Sequence, residues 1–189
     1  MKRIAIFASG SGTNTQAIIE YFINKKNVEI SLVLSNRKSA YVLERAKTFG
    51  IKAIYFNKNE LYKSTLISDL LQENHIDLIV LAGFLLLVPA NLITLFPNRI
   101  INIHPALLPK YGGKGMYGMK VHESVIENSE SESGISIHYV NRKYDEGELI
   151  FQSKCKVENF DNPESLAEKI HKLEHKHYPK IIEEVLNAI

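Results

Sequence analysis

Cysteine is nearly missing from this chain. Cys155 is the only one among 189 residues, which excludes a disulfide framework and a cysteine-built zinc site. A surplus of either charge is missing too: 23 Lys and Arg stand against 21 Asp and Glu, a net +2. That balance argues against a nucleic-acid or membrane-surface binder held by bulk electrostatics. No apolar run approaches a membrane span. The opening MKRIAIFASG is apolar only until Ser9 and Gly10 interrupt it. It is too short for a signal-peptide core, so the expected place is the cytoplasm. Repeats, low-complexity segments and linkers are absent as well. What is present is a 45% hydrophobic chain, long enough for one domain with a sizeable core.

The apolar residues fall into alternating patterns. Arg3 to Ala8 is a continuous apolar run, as expected of a strand buried on both faces. A helix follows, with Ala17, Ile18, Tyr21 and Phe22 at helical spacing. Val28 to Leu34 reads as a second strand. Ser39 can cap a helix over Ala40 to Phe49, closed by Gly50. Ala53 to Phe56 is a weaker strand. Asn59 to Asn74 reads as one helix with Leu61, Leu66, Leu70 and Leu71 inward. Asp77 to Ala82 is a strand, Pro89 starts a short helix over Ala90 to Phe96, and Arg99 opens a fifth strand. Strands alternating with helices imply right-handed crossovers and an α/β fold. Beyond residue 104 the pattern changes. Lys110 to Met119 is a Gly-rich loop, and Val121 to Glu127 reads as a short helix. Gly134 to Val140 and Leu149 to Val157 alternate as a β pair, joined by Asn141 to Gly147. Pro163 starts a helix reaching about Asn187. The fold class is therefore three-layer αβα about a mostly parallel, Rossmann-like twisted sheet of about seven strands, with an antiparallel C-terminal part.

Five places carry chemistry. In Arg99 to Tyr111, RIINIHPALLPKY, residues i and i+2 of the strand share a face, so Asn102 and His104 point one way. Pro105 ends the strand. This puts an amide and an imidazole at a strand's C-terminal end, where open α/β sheets hold ligands; a satisfied polar pair would look the same. Gly10 to Asn14, GSGTN, joins a strand to a helix and suits a phosphate on the helix's first N–H groups, with Thr13 or Asn14 as cap or donor. A plain tight turn is the alternative. Thr15 stands where the dinucleotide fingerprint needs glycine, and no Walker GK[ST] follows, which favours a phosphorylated metabolite over a nucleoside triphosphate. Gly83 to Pro89, GFLLLVP, is either core or the wall of a pocket for a flat organic molecule. Asp145 lies in a loop, either solvated or folded back to pair with His104. In the last helix His171 and His175 have the spacing of a two-histidine metal face, without HExxH and without an evident third ligand. Glu174 beside them either binds an amine or ribose hydroxyl or is solvated.

Together these pieces resemble the glycinamide ribonucleotide transformylases, the folate-dependent phosphoribosylglycinamide formyltransferases of purine synthesis. The resemblance runs nearly the whole length. It rests on SGSGTN at 9–14, LAGFL at 81–85, NIHPALLPKYGG at 102–113, SGISIHYV at 133–140, YDEG at 144–147 and EHKHYP at 174–179. It implies a formyltransferase fold over a single domain, 1–189. Residues 1–100 would form a nucleotide-binding-like half with the phosphate loop, and 101–189 a catalytic and folate-binding half. It also implies formyl transfer from 10-formyltetrahydrofolate to the amine of phosphoribosylglycinamide, with no metal. Asn102, His104 and Asp145 would be catalytic: Asn102 donating to the oxyanion, and Asp145 holding His104 as an imidazolium. Gly12, Thr13, Asn14 and Glu174 would bind phosphoribosylglycinamide. Leu85, Leu86, Leu87, Val88, Asn102, Asn141, Arg142, Lys143, Tyr144 and Asp145 would bind the folate. The Leu108–Pro109 bond would be cis.

The resemblance has departures. Leu85-Leu86 stands where the family often has Met-Arg, Lys58 and Asn59 stand where it often has an arginine, and GGKGMYGM replaces a common Pro-Gly-Leu. Partners are expected to be small molecules, with no nucleic acid and no membrane, and the state a monomer or homodimer. Rival readings are a methionyl-tRNA or sugar-amine formyltransferase, a formyltetrahydrofolate hydrolase, and a non-catalytic nucleotide-binding module.

Overall fold

The computed structural model describes residues 1–189. The chain begins with strand β1, Lys2–Phe7, whose residues from Ile4 onward are buried. Helix α1, Thr13–Phe22, returns the chain to β2, Val28–Ser35. Helix α2, Tyr41–Thr48, leads to β3, Lys52–Tyr55. Two helices follow, α3, Lys58–Tyr62, and α4, Leu66–Glu73, and then β4, Leu78–Leu81. Helix α5, Ala90–Leu95, precedes β5, Ile100–His104. The rest is α6, Met119–Glu127, then β6, Glu132–Tyr139, β7, Leu149–Lys156, and the long α7, Pro163–Ala188. The seven strands form one sheet in the order β3-β2-β1-β4-β5-β6-β7. It is parallel from β3 through β5 and antiparallel at β6 and β7. The expected sheet, with its antiparallel C-terminal part, is what forms.

Two hydrophobic clusters lie on the sheet's two faces. One includes residues of α1, α2 and α7 together with Ile4, Ile6, Ile101 and Ile103. The other includes Leu61, Ile67, Leu71 and Leu92 with Ala5, Phe7 and Ile79. This split follows from side-chain alternation along β1 and β5. Tyr178 on α7 is fully buried, and its hydroxyl donates to the carbonyls of Leu81 at 2.9 Å and Ile101 at 3.3 Å. It ties the last helix to the ends of the strands that carry the cleft.

Two local expectations are corrected. The helix expected over Asn59 to Asn74 is two helices. Ser64 breaks it, its hydroxyl donating to the Glu60 carbonyl and accepting from the Leu66 N–H, a competing partner for the backbone. Leu66 is exposed in consequence, and Ile67 takes the inner position. Ser39 does not cap α2. Its N-cap is Ala40, with no side-chain cap bond. Gly50 does close that helix: its N–H bonds to Lys47 and that of Ile51 to Ala46. Leu108–Pro109 is cis.

Candidate active site

Strand β5 delivers Asn102 and His104 to the sheet's C-terminal edge, as their spacing requires. Pairing with β6 sets Asn102 opposite His138 and His104 opposite Ser136. The Ser136 hydroxyl donates to the Ala106 carbonyl at 2.6 Å and accepts from the Leu108 N–H at 2.9 Å and Gln152 Nε2 at 2.8 Å. These bonds hold the turn after the strand. The turn aims the Tyr111 carbonyl at His104 Nε2, 2.7 Å away. A carbonyl only accepts, so Nε2 carries a proton.

His104 Nδ1 lies 3.6 Å from Asp145 Oδ2. The loop between β6 and β7 therefore folds back over the sheet edge. Asp145 adopts a left-handed backbone, φ +56° (the chain reverses there). Its carboxylate accepts from the Gly113 N–H at 2.9 Å and, through Oδ1, from Asn102 Nδ2 at 3.4 Å. Burial pushes its pKa up, but His138, His104 and the Gly113 N–H outweigh that and hold the carboxyl below its ordinary value. His104 behaves otherwise. Burial lowers its pKa more than Asp145 and the Tyr111 carbonyl raise it. Burial thus opposes the imidazolium that the resemblance implies, while the Asp145 carboxylate favours it.

His138 was missed as a site residue. Its Nδ1 donates to the Tyr139 carbonyl at 2.8 Å, and its Nε2 lies 3.1 Å from Asn102 Nδ2 and 3.6 Å from Asp145 Oδ1. The alternation in GISIHYV places His138 on the face with Ser136, but only the pairing register shows that this face meets Asn102. Gly147 makes the arrangement possible. A Cβ there would stand 1.6 Å from the Tyr139 carbonyl oxygen and 3.3 Å from His138 Nδ1. Gly147→Ala is expected to cost about 1–3 kcal/mol, read from urea unfolding; an unchanged midpoint would contradict the close approach.

The Gly10–Asn14 loop lies along the same cleft, which has a volume of about 530 Å³. The N-cap of α1 is Gly12, at φ +80°, and no side chain caps the helix, so no side chain satisfies the first-turn N–H groups. A Cβ at Gly12 would lie 2.5 Å from Val42 Cγ2. The expected cap from Thr13 or Asn14 does not form. Asn14 instead donates through Nδ2 to Glu174 Oε2 at 2.8 Å. Glu174 is buried rather than solvated, and burial raises its pKa against the opposing pulls of Asn14 and His171. Ser9 joins this loop to the next: its hydroxyl donates to Asn36 Oδ1 at 2.6 Å and accepts from the Leu85 N–H at 3.0 Å.

Of the expected folate residues, Leu85, Asn102, Tyr144 and Asp145 line the cleft. Leu86 and Val88 pack into the core below it. The Leu87 carbonyl accepts from the Tyr62 hydroxyl at 2.8 Å. Asn141 is tied within its own loop, to Glu146 and Lys143; Lys143 pairs with Glu146, and Arg142 is exposed. The rings of His171 and His175 stack, centroids 6.3 Å apart, and no group of three or more potential ligands gathers in a metal-binding arrangement. A second unforeseen residue is His122 on α6. It is buried and lines the cleft, and its pKa falls to about 4 through burial and repulsion from His171 and His104.

Residues 2–182 match the model of the family described as formyl transferase. The chain belongs to the formyl transferase family. The phosphoribosylglycinamide formyltransferase of Bacillus subtilis is 34% identical over 192 residues, covering 98% of this chain and 95% of that protein. The chloroplastic phosphoribosylglycinamide formyltransferase of Arabidopsis thaliana is 40% identical, covering 96% of this chain. The chain spans 64% of that protein's length, and 60% of the Vigna unguiculata relative's. Among solved structures, glycinamide ribonucleotide transformylase 1 of Symbiobacterium toebii superposes with a TM-score of 0.89 at 34% identity, covering all of this formyl transferase chain and 89% of that one. No helix here is long and apolar enough to cross a membrane.

Proposed function

We propose that this chain transfers the formyl group of 10-formyltetrahydrofolate to the amine of phosphoribosylglycinamide. One observation carries the reading: a single cleft is lined by both the Gly10–Asn14 loop and the Asn102, His104 and Asp145 cluster. An anionic substrate anchored at one end reaches the acid–base group at the other. In this reading the phosphate meets the N–H groups at 12–14, and Glu174 accepts from ribose hydroxyls. The half-buried Phe84 and Leu85, with Tyr144, offer an apolar flank to the flat donor. The family relationship supports a folate-derived donor.

The substrate amine attacks the formyl carbon, forming an N–C bond. The carbonyl oxygen takes the electron pair, and the Asn102 amide donates to that oxyanion. His104 Nδ1 accepts the ammonium proton, and Asp145 stabilises the imidazolium so formed. The proton then passes to the donor nitrogen as the C–N bond breaks. His104 is neutral at rest and charged only in mid-reaction. The test is formyl transfer measured on the purified chain with glycinamide ribonucleotide. Transfer only to another amine, or hydrolysis of the donor alone, would replace this reading with one of its rivals.

A pH profile tests the charge arrangement. Asp145 raises the His104 pKa, although burial lowers it more. Removing the carboxylate therefore lowers that pKa further. In Asp145→Asn the acid limb of kcat/KM is expected to move to lower pH, while kcat falls because the imidazolium loses its counter-charge. Initial rates across about pH 5–9 read this; a limb moving to higher pH would contradict it.

A further inference from the structure

His122 is a polar group that the reaction above leaves unused. It is 3% exposed, and it sits on α6 between the buried Val121 and the core-facing Val125. Its Nδ1 is sealed from solvent with no hydrogen-bond partner. The ring nonetheless lines the cleft that holds Asn102, His104 and Glu174. A helix position flanked by apolar core normally carries an apolar side chain, because a buried polar atom without a partner is costly. An aliphatic residue would pack there without leaving such an atom, so the histidine lowers the stability of the free protein.

The tautomer follows from the sealed atom. A buried N–H without a partner is rarer than a buried acceptor without one. Nδ1 is therefore the bare lone pair, and the proton lies on Nε2, the nitrogen on the edge left to the cleft. His122 thus offers a neutral donor. Its electrostatic neighbours are His104, at the reacting end, and His171, one turn before Glu174 on α7. All three line the same cleft.

The substrate's own chemistry names the group that belongs there. Its phosphate, ribose hydroxyls and amine already have partners in the proposed function, on which this assignment rests. The carboxamide joining ribose to the aminomethyl group has none. We infer that His122 is a substrate-binding residue whose Nε2–H donates to the carbonyl oxygen of that carboxamide. A neutral donor suits a neutral acceptor, and it leaves the charge around His104 unchanged.

Calorimetric titration of the full chain tests this with two probes, glycinamide ribonucleotide and inorganic phosphate. His122→Leu is expected to weaken the nucleotide about ten-fold, the scale of one lost hydrogen bond, and to leave phosphate affinity unchanged. His122→Gln, which keeps a donor, should recover part of the loss. The Leu variant should melt no lower than wild type, and the pH profile of kcat/KM should not move. Equal weakening of both probes, or a lowered melting point with a shifted profile, would mark His122 as structural and overturn the assignment. Wild-type binding with unchanged nucleotide affinity in both variants would overturn it alone. Wild-type protein that ignores the nucleotide would overturn the proposed function and this assignment together.

Discussion

His104→Gln is expected to lower kcat by about two to four powers of ten, the range for a positioned acid–base group. The glutamine amide can still donate to the Tyr111 carbonyl, which now holds His104 Nε2 at 2.7 Å, so the turn after β5 should survive. What is lost is the titrating nitrogen 3.6 Å from the Asp145 carboxylate. The affinity for acceptor substrate should change little, because its phosphate is anchored at the other end of the cleft. Pre-steady-state mixing would place the loss in the chemical step. A turnover close to wild type would remove His104 from the proton path and leave Asp145 as the base, a poor one given a carboxyl held below its ordinary value.

Asn102→Ala is expected to cost about two to three powers of ten in kcat, the effect of deleting an oxyanion donor. The amide is held before substrate arrives, by His138 Nε2 at 3.1 Å and Asp145 Oδ1 at 3.4 Å. The longer of these is a weak bond, so that N–H can be shared with a developing oxyanion without the amide moving. Donors fixed in advance need not reorganise during the reaction, which is the source of such a large effect. Asn102→Asp should fall at least as far, since it sets a second carboxylate beside Asp145. His138→Gln should lose less, because that histidine acts through Asn102. If Asn102→Ala kept its turnover, the oxyanion would have to be met by a backbone group instead.

Much of the molecule was legible because it depends on local periodicity. The buried run at β1, the alternation of β6 and Pro163 at the start of α7 each express a rule that spans a few residues. The Asn59–Asn74 stretch misled because its apolar spacing is helical throughout, and nothing local shows that Ser64 will take the Glu60 carbonyl. Leu86 and Val88 illustrate the same limit. An apolar run at a strand's end reads alike whether it faces a ligand or the core, and only the structure shows that the Leu86 and Val88 side chains pack into the core cluster. His138 and His122 carried no signal of their own. One needed the β5–β6 register to reach Asn102, and the other sits in a helical pattern that would look as regular with leucine.

The sequence by itself determined the α/β class, the shared face of Asn102 and His104, and a Gly-rich turn between the first strand and the first helix. Those follow from dihedral preferences and side-chain alternation, which act within one element. Tertiary structure alone decided that Asp145 closes on His104, that Asn14 bonds Glu174 across 160 residues, and that burial lowers the His104 pKa. A contact between distant segments depends on how whole elements pack. A pKa depends on how far that packing excludes water, and neither quantity is carried by any short stretch of chain.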